Sequence, residues 1–348
     1  MTGARRWTRR PEGSNWGEFG PDDQIGRLNL LGPDAVKRGL AEVREGRSFC
    51  LSLPLDLPGG STLNPRRAPP RHFATARAGL SNFNHALAQH DPDLTDVICD
   101  DAVLLHTQYS TQWDSLAHAG ALFDADGDGV AEPVYYNGWR AGEHVTGSDG
   151  TEACQGCGDV EGVAARRLGI ETMAETCVQG RGVLIDLHAI AGRDRVAVGR
   201  DALLGAIDAQ GAEIEPGDIL CLHTGFADAV IAMGGQPDAQ ALHGAFAVLD
   251  GHDPALLNWI SDSGIAALVA DNYAVEQSPA RAGDGPHAAL PLHEHCLFKL
   301  GLPLGELWHL GPLNAHLRGQ ARNGFLLTAP PLRLPGAVGS PVTPVATV

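Results

Sequence analysis

An α/β fold is the class this sequence predicts, on three observations. Short apolar runs of strand length recur, stretches of helical period lie between them, and the composition is that of an ordinary globular chain. The apolar runs are residues 182–187 (GVLIDL), 218–223 (DILCLH) and 265–269 (IAALV). Each is too short for a helix and apolar nearly throughout, so each reads as a strand buried on both faces. Residues 200–210 and 254–261 read as the helices between them. Another helix is expected over 33–45. There Pro33 and Asp34 form a start signal, and Ala35, Val36, Leu40 and Val43 recur at about 3.6 residues.

The 348 residues can bury one large core or two modest ones. A hydrophobic content of 43% and a charged content of 19% are those of globular proteins. The formal charge of −17 argues against nucleic acid, whose phosphates demand a basic surface, and against an anionic membrane. No apolar run approaches the roughly 20 residues needed to span a bilayer. The basic start, Met1 to Pro11, has no apolar segment behind it and is not read as a secretory signal. Seven scattered cysteines, an odd count, point to reduced thiols and a cytoplasmic location.

Residues 1–15, charged and poor in apolar groups, read as a flexible N-terminal tail, with 16–348 as a single domain. Residues 58–79, rich in proline and arginine, read as an irregular surface loop. The proline-rich stretch from Ala329 reads as an extended C-terminal arm packed on a neighbour.

The chemistry-bearing stretch is 102–120, AVLLHTQYSTQWDSLAHAG. Residues 103–109 are expected as a strand with His106 and Gln108 on one face, by the two-residue period. Gln108, Ser110, Thr111, Gln112, Asp114 and His118 then crowd together. So many polar groups beside an apolar strand must be hydrogen-bonded, solvated or bound to a ligand. By themselves these residues favour a polar turn closed by a satisfied histidine.

The same stretch resembles the signature of the cyclase (kynurenine formamidase-like) superfamily, His-x-Gly-Thr-His-x-Asp-x-Pro-x-His. The matching positions are Gln108, Ser110, Thr111, Gln112, Asp114, Leu116 and His118. Further blocks resemble the family in order: NWGEFGPDDQIGRLNLLGP from Asn15, GRGVLIDL from Gly180, GDILCLHTG from Gly217, ADNYAVEQ from Ala270, PLHEHCLFKLGLPLGELWHL from Pro291 and GSPVTPVA from Gly339. Each block is weak alone, and the ordered set covers nearly the whole chain.

The resemblance implies a swivelling β/β/α fold, a homo-oligomer (dimer or tetramer), a small-molecule substrate, and hydrolysis of an amide or ring bond with a divalent metal. In the family the two first signature histidines and the aspartate hold Zn²⁺ or Mn²⁺, and the last histidine is the acid/base. Carried over, Asp114 is a ligand, His118 the acid/base, and His293 with Glu306 a later pair, with His295 close enough to compete with His293. The departure is that Gln108 and Gln112 stand where the family has histidines. Amide oxygens are poor zinc ligands and suit harder ions, so Mn²⁺ is favoured over Zn²⁺. The alternative is that no metal binds and the amides donate to a substrate carbonyl. His106, about 6–7 Å further along a strand, is a doubtful substitute.

Other features are weighed more simply. Residues 124–129 (DADGDG) begin like a calcium loop, but Tyr135 occupies the twelfth position, so a solvated acidic turn is expected. Cys154 and Cys157 form a CxxC without a second pair and read as loop thiols. Asp186 and His223 are read as structural residues at strand ends. Tyr135, Tyr136, Asn137, Trp113 and Trp308 are candidate pocket residues, and with Phe123 the tryptophans are equally candidates for core.

The sequence thus predicts a hydrolase of a cyclic or formylated amide or a lactone, with Asp114 positioning water and His118 taking its proton. A metal-independent cyclase or dehydratase of secondary metabolism, again using His118, is the alternative. A binding protein that kept only the fold is the third.

Overall fold

In the computed structural model, residues 6–147, 162–281 and 285–348 are described. A nine-stranded sheet organises them. In chain order its strands are β1 (Ser48–Cys50), β2 (Gln112–Asp114), β3 (Gln179–Asp186), β4 (Ile219–His223), β5 (Ala267–Ala270), β6 (Leu304–Glu306), β7 (Gly324–Thr328), β8 (Gly339–Pro341) and β9 (Val345–Thr347). Their order across the sheet is β1-β9-β7-β3-β4-β5-β6-β2-β8. The four central strands, β3 to β6, are parallel. The flanking pairs on both sides are antiparallel.

The unbroken apolar runs follow from cores on both faces of the sheet. Val183, Ile185, Leu220, Leu222, Leu268 and Ala270 join the core under helices Arg200–Ala209 and Pro254–Ser263. The intervening Leu184, Ile219, Cys221, Ala267 and Val269 join the core under helix Gly311–Gly319. With a two-residue period and apolar groups on both faces, no polar alternation survives. Local chemistry sets the helix ends. Asp253 caps Pro254–Ser263 by accepting from the Ala255 N–H, and Gly264, with φ of 69°, terminates it in the left-handed region. The expected helix over 33–45 is Pro33–Ala41, one turn shorter than its apolar period.

The structure departs from the sequence expectations in four places. The strand expected over 103–109 is instead split. Asp101–Leu104 pairs with Arg71–Ala74 in an exposed ribbon, and the strand of the main sheet is Gln112–Asp114. Polar side chains misled the reading there: β2 is fully buried despite carrying a glutamine and an aspartate. The expected irregular loop 58–79 thus carries two short strands, Arg71–Ala74 in that ribbon and Ala76–Arg77 in a separate pair with Leu80–Ser81.

Residues 6–15, expected as part of a loose tail, lie on the body. Trp7 is buried against Trp16 with ring centroids 5.7 Å apart, and Arg9 donates to Asp124 at 2.7 Å. Two tryptophans supply the burial that the charged residues around them do not. The C-terminal arm pairs within its own sheet: β8 lies on β2, and β9 between β1 and β7.

Candidate active site

The site begins with the register of β2. It lies between β6 and β8, with Gln112 opposite Glu306 and Asp114 opposite both Leu304 and Gly339. Gln112, Asp114 and Glu306 therefore share one face, and all three are buried. Trp113 points to the other face, meets Trp308 edge-on at 5.0 Å, and donates its indole N–H to the Ala329 carbonyl at 2.8 Å. Gly305, opposite Trp113, has no Cβ to collide with these two indoles.

His118 follows in a turn whose N–H donates to the Ser115 carbonyl at 2.9 Å. Its Nε2 lies 3.8 Å from Asp114 Oδ1, and its side chain is 22% exposed, the most open of the group. His293 comes from a helical turn, Pro291–His293, that runs into a π-type turn, Glu294–Lys299. Its Nε2 is 3.3 Å from Glu306 Oε1 and 4.0 Å from Asp114 Oδ2.

Behind it, the buried Glu276 takes the Nδ1 proton at 2.7 Å and the backbone N–H groups of Leu292 and His293 at 3.0 and 2.9 Å. This carboxylate fixes the ring so that Nε2 faces the site. The preceding Ala274 and Val275 hold left-handed φ values of 71° and 55°. That conformation is costly for a β-branched residue, and here it delivers Glu276 to His293.

Electrostatics separate the two carboxyls. Burial, reinforced by Glu306, raises the pKa of Asp114 against the opposing pull of His118, His293 and Arg67. Burial would raise Glu306 as well, but the hydrogen bond and charge of His293 outweigh it and hold it low. Burial would depress His293, yet Glu276 and Glu306 push it up to about 10. Gln112 sits between the carboxyls, its amide N–H group donating to Asp114 Oδ1 at 3.4 Å and Glu306 Oε2 at 3.3 Å.

Asp114, His118 and His293 each offer a ligand atom, all within 4.8 Å of one another. Gln112 Oε1 and Asp114 Oδ2 are buried without a hydrogen-bond partner. An orphaned carboxylate oxygen beside two imidazoles, one fixed by a carboxylate behind it, fits a divalent cation, and the unpartnered Gln112 oxygen is a further donor on the same strand. Gln108 meets this set only through His118. Its oxygen accepts from the Thr107 hydroxyl at 2.8 Å, its amide nitrogen lies 3.5 Å from His118 Nδ1, and it occupies the space left by the missing Cβ of Gly339.

A cavity of about 410 Å³ opens over His118, His293 and Glu306, walled by Arg66, Arg67 and Tyr273. The residue His295 is turned away onto Ser261 at 3.0 Å, with burial lowering its pKa to about 4, so His293 is the histidine at the site. His106 bonds the backbone of Ala68 and is exposed.

None of the five aromatic and amide pocket candidates lines the cavity. Trp113 and Trp308 are core on the far face of the sheet. Tyr136 is fully buried under Gly301. Asn137, with φ of 56°, pins the 17–23 segment through Gly17, Gly20, Pro21 and Asp23. Tyr135 walls a separate shallow cavity with Leu122 and Pro133. Missed by the sequence reading were Arg66, Arg67, Tyr273 and Glu276. Tyr273 and Glu276 left a trace there, within the ADNYAVEQ block.

Other sequence features resolve structurally. Asp124, Asp126 and Asp128 accept from backbone N–H groups of their own turn, and Asp124 also pairs with Arg9. Cys154 and Cys157 lie outside the described residues.

A second ionic network sits at the ends of β3 and β4. His223 bonds Asp186 at 3.0 Å and Asp228 at 3.3 Å, and Asn314 bonds Asp186 at 2.7 Å. Burial opposes the charge of His223, but Asp186, Asp228 and Asp271 raise its pKa to about 10. Burial likewise would raise Asp186, but His223 and Asn314 bring it to about 2. A raised histidine stabilises fully below its unfolded value of about 6.5 and loses that contribution as pH rises through the folded value. A depressed aspartate stabilises above its unfolded value of about 3.9 and loses that as pH falls. Thermal melts should therefore fall from pH 6.5 toward 10 in the wild type, and His223→Gln should flatten that decline. An unchanged slope in the variant would assign it elsewhere.

No helix among the described residues is long and apolar enough to cross a membrane. Comparison with known proteins fits this architecture. No curated protein matches the sequence. A solved structure described as a novel cyclase is 29% identical, with a TM-score of 0.73 and coverage of 96% of this chain and 97% of that one.

Isatin hydrolase A from Labrenzia aggregata shares the fold at 14% identity and a TM-score of 0.54, covering 87% of this chain and 93% of its own. Isatin hydrolase A from Ralstonia solanacearum does so at 16% identity and 0.54, covering 90% and 95%. The family model described as "Putative cyclase" matches residues 51–277, more than half of the chain. This protein belongs to the cyclase family, and its fold is that family's swivelling β/β/α fold.

Proposed function

We propose that this chain hydrolyses a small cyclic or formylated amide or a lactone, with Asp114, His118, His293 and Glu306 as its working residues. The observation that carries the reading is that His118, His293 and Glu306 line one cavity, with the buried Asp114 within ligand distance of both histidines and its Oδ2 unpartnered. Asp114, His293 and the Gln112 oxygen are the residues that would hold a divalent cation, manganese being favoured over zinc by the oxygen donors. Bound there, the cation would supply Lewis-acid polarisation of the scissile carbonyl.

The chain's own groups do the rest. His118, the most exposed member, accepts the proton of the attacking water and returns it to the leaving nitrogen or oxygen. Glu276 holds the His293 ring in place from Nδ1, so that Nε2, which faces Glu306 at 3.3 Å, would be the nitrogen given to the cation. Ala274, Pro279 and Leu290 give the cavity an apolar wall, of which Ala274 is buried.

The test is elemental analysis of purified protein, followed by turnover of cyclic amides, lactones and N-formyl anilines. Chelator should abolish turnover and Mn²⁺ restore it. Full activity in protein shown to be metal-free would favour the second reading, a metal-independent cyclase or dehydratase. One observation favours that alternative: the Gln112 amide already bridges both carboxyls by itself.

A further inference from the structure

The cavity carries a charge pattern that hydrolysis does not require. Arg66 and Arg67 stand side by side in its wall, and neither makes an ion pair within 4 Å among the described residues. In a chain of formal charge −17, two adjacent guanidiniums without an ion pair, set in a cavity wall, leave positive charge open to a ligand.

Their turn is built rather than loose. The buried Asn64 accepts from the Arg66 N–H at 3.0 Å through its side-chain oxygen, and from the Arg67 N–H at 3.0 Å through its carbonyl. The side-chain amide of Asn64 donates to the Tyr273 hydroxyl at 3.1 Å. Arg67 Nη1 is further anchored on the Gln108 carbonyl at 2.6 Å, next to the strand that carries Asp114. With its oxygen already accepting from Asn64, the Tyr273 hydroxyl has its own proton free to donate into the cavity.

We infer that the substrate carries a carboxylate remote from the bond that is cut, and that Arg66, Arg67 and the Tyr273 hydroxyl bind it. This inference rests on the reading of the cavity as a hydrolytic site and adds the class of molecule it takes: a compact monoanion of about one ring. Planar guanidinium forks match a planar carboxylate in two parallel hydrogen bonds. The cavity, about 410 Å³, has room for a ring between that anchor and His118. The remaining wall, with Ala274, Pro279, Ala289 and Leu290, is apolar and suits the body of such a ligand. Glu306 lines the same cavity, and its charge disfavours an anion beside it, which leaves the arginines to the anion and His118 to its neutral end.

The test is calorimetric binding of two non-reacting probes, phenylacetate and its neutral counterpart benzyl methyl ketone, to the full chain with its metal content as purified. The wild type should prefer phenylacetate by about 10-fold or more. Arg66→Gln, whose exposed side chain makes no contact that the fold needs, should remove part of that preference with an unchanged melting temperature. Arg66→Gln/Arg67→Gln should remove the whole of it, and Arg66→Lys should restore part. An unchanged preference in the double variant would show that the carboxylate goes to Asp114, His293 and any cation between them, and would overturn the inference. Because neither probe is turned over, failure here is read in binding, whereas failure of the hydrolase reading is read in product formation.

Discussion

His118→Ala is expected to lower kcat/KM by about 10²–10⁴-fold, the usual contribution of a positioned general acid/base. The cost should fall on kcat. His118 stands at the open edge of the group with a side chain 22% exposed, and it makes no hydrogen bond shorter than 3.5 Å through its ring. Its removal therefore leaves no buried partner stranded, and the melting temperature should hold within a degree or so. The same truncation at His293 would be a poor test of chemistry, because it would orphan Glu276 and Glu306 inside the protein. The pH dependence of kcat/KM should lose a limb in His118→Ala. Turnover that kept both its magnitude and its pH profile would remove His118 from the mechanism and leave the cavity a binding site.

Trp113→Ala carries the largest expected loss of stability, about 3–5 kcal/mol. The side chain is fully buried, packs edge-to-face on Trp308, and donates its N–H to the Ala329 carbonyl. Its deletion opens a cavity the size of an indole and leaves that carbonyl without a donor. Because Gln112 and Asp114 flank it on the same strand, activity should fall with stability, and both should be partly recovered by Trp113→Phe. Chemical denaturation of the three proteins, with the slope against denaturant compared, measures this. A loss under 1 kcal/mol for the alanine variant would mean that the two-tryptophan contact contributes little to holding β2 in the sheet.

How much of this was legible in the chain differs by element. The strands at 179–186, 219–223 and 267–270 announced themselves because both faces are buried, and nothing else produces so short a run of apolar residues. β2 was not legible from polarity. Its burial depends on β6 and β8, which arrive almost two hundred residues later or more, and no local pattern records that. Asp114, His118, His293 and Glu306 were named from the resemblance, and the structure gathers them. The aromatic candidates failed because a tryptophan or tyrosine near a signature carries no mark of which sheet face it will take. Trp113 is displaced to the core by one position in a two-residue period. Arg66 and Arg67 were hidden in a segment that reads as a surface loop, since nothing in the sequence shows that Asn64 and Tyr273 meet.

The placement of β2 between two later strands also dictates when the candidate site can be assembled. During synthesis the stretch bearing Asp114 leaves the ribosome long before either of its neighbours exists. Until Leu304–Glu306 and then Gly339–Pro341 emerge, its buried amide and carboxylate have only water for company. No nascent chain can therefore complete this part of the sheet before Gly339–Pro341 has been made.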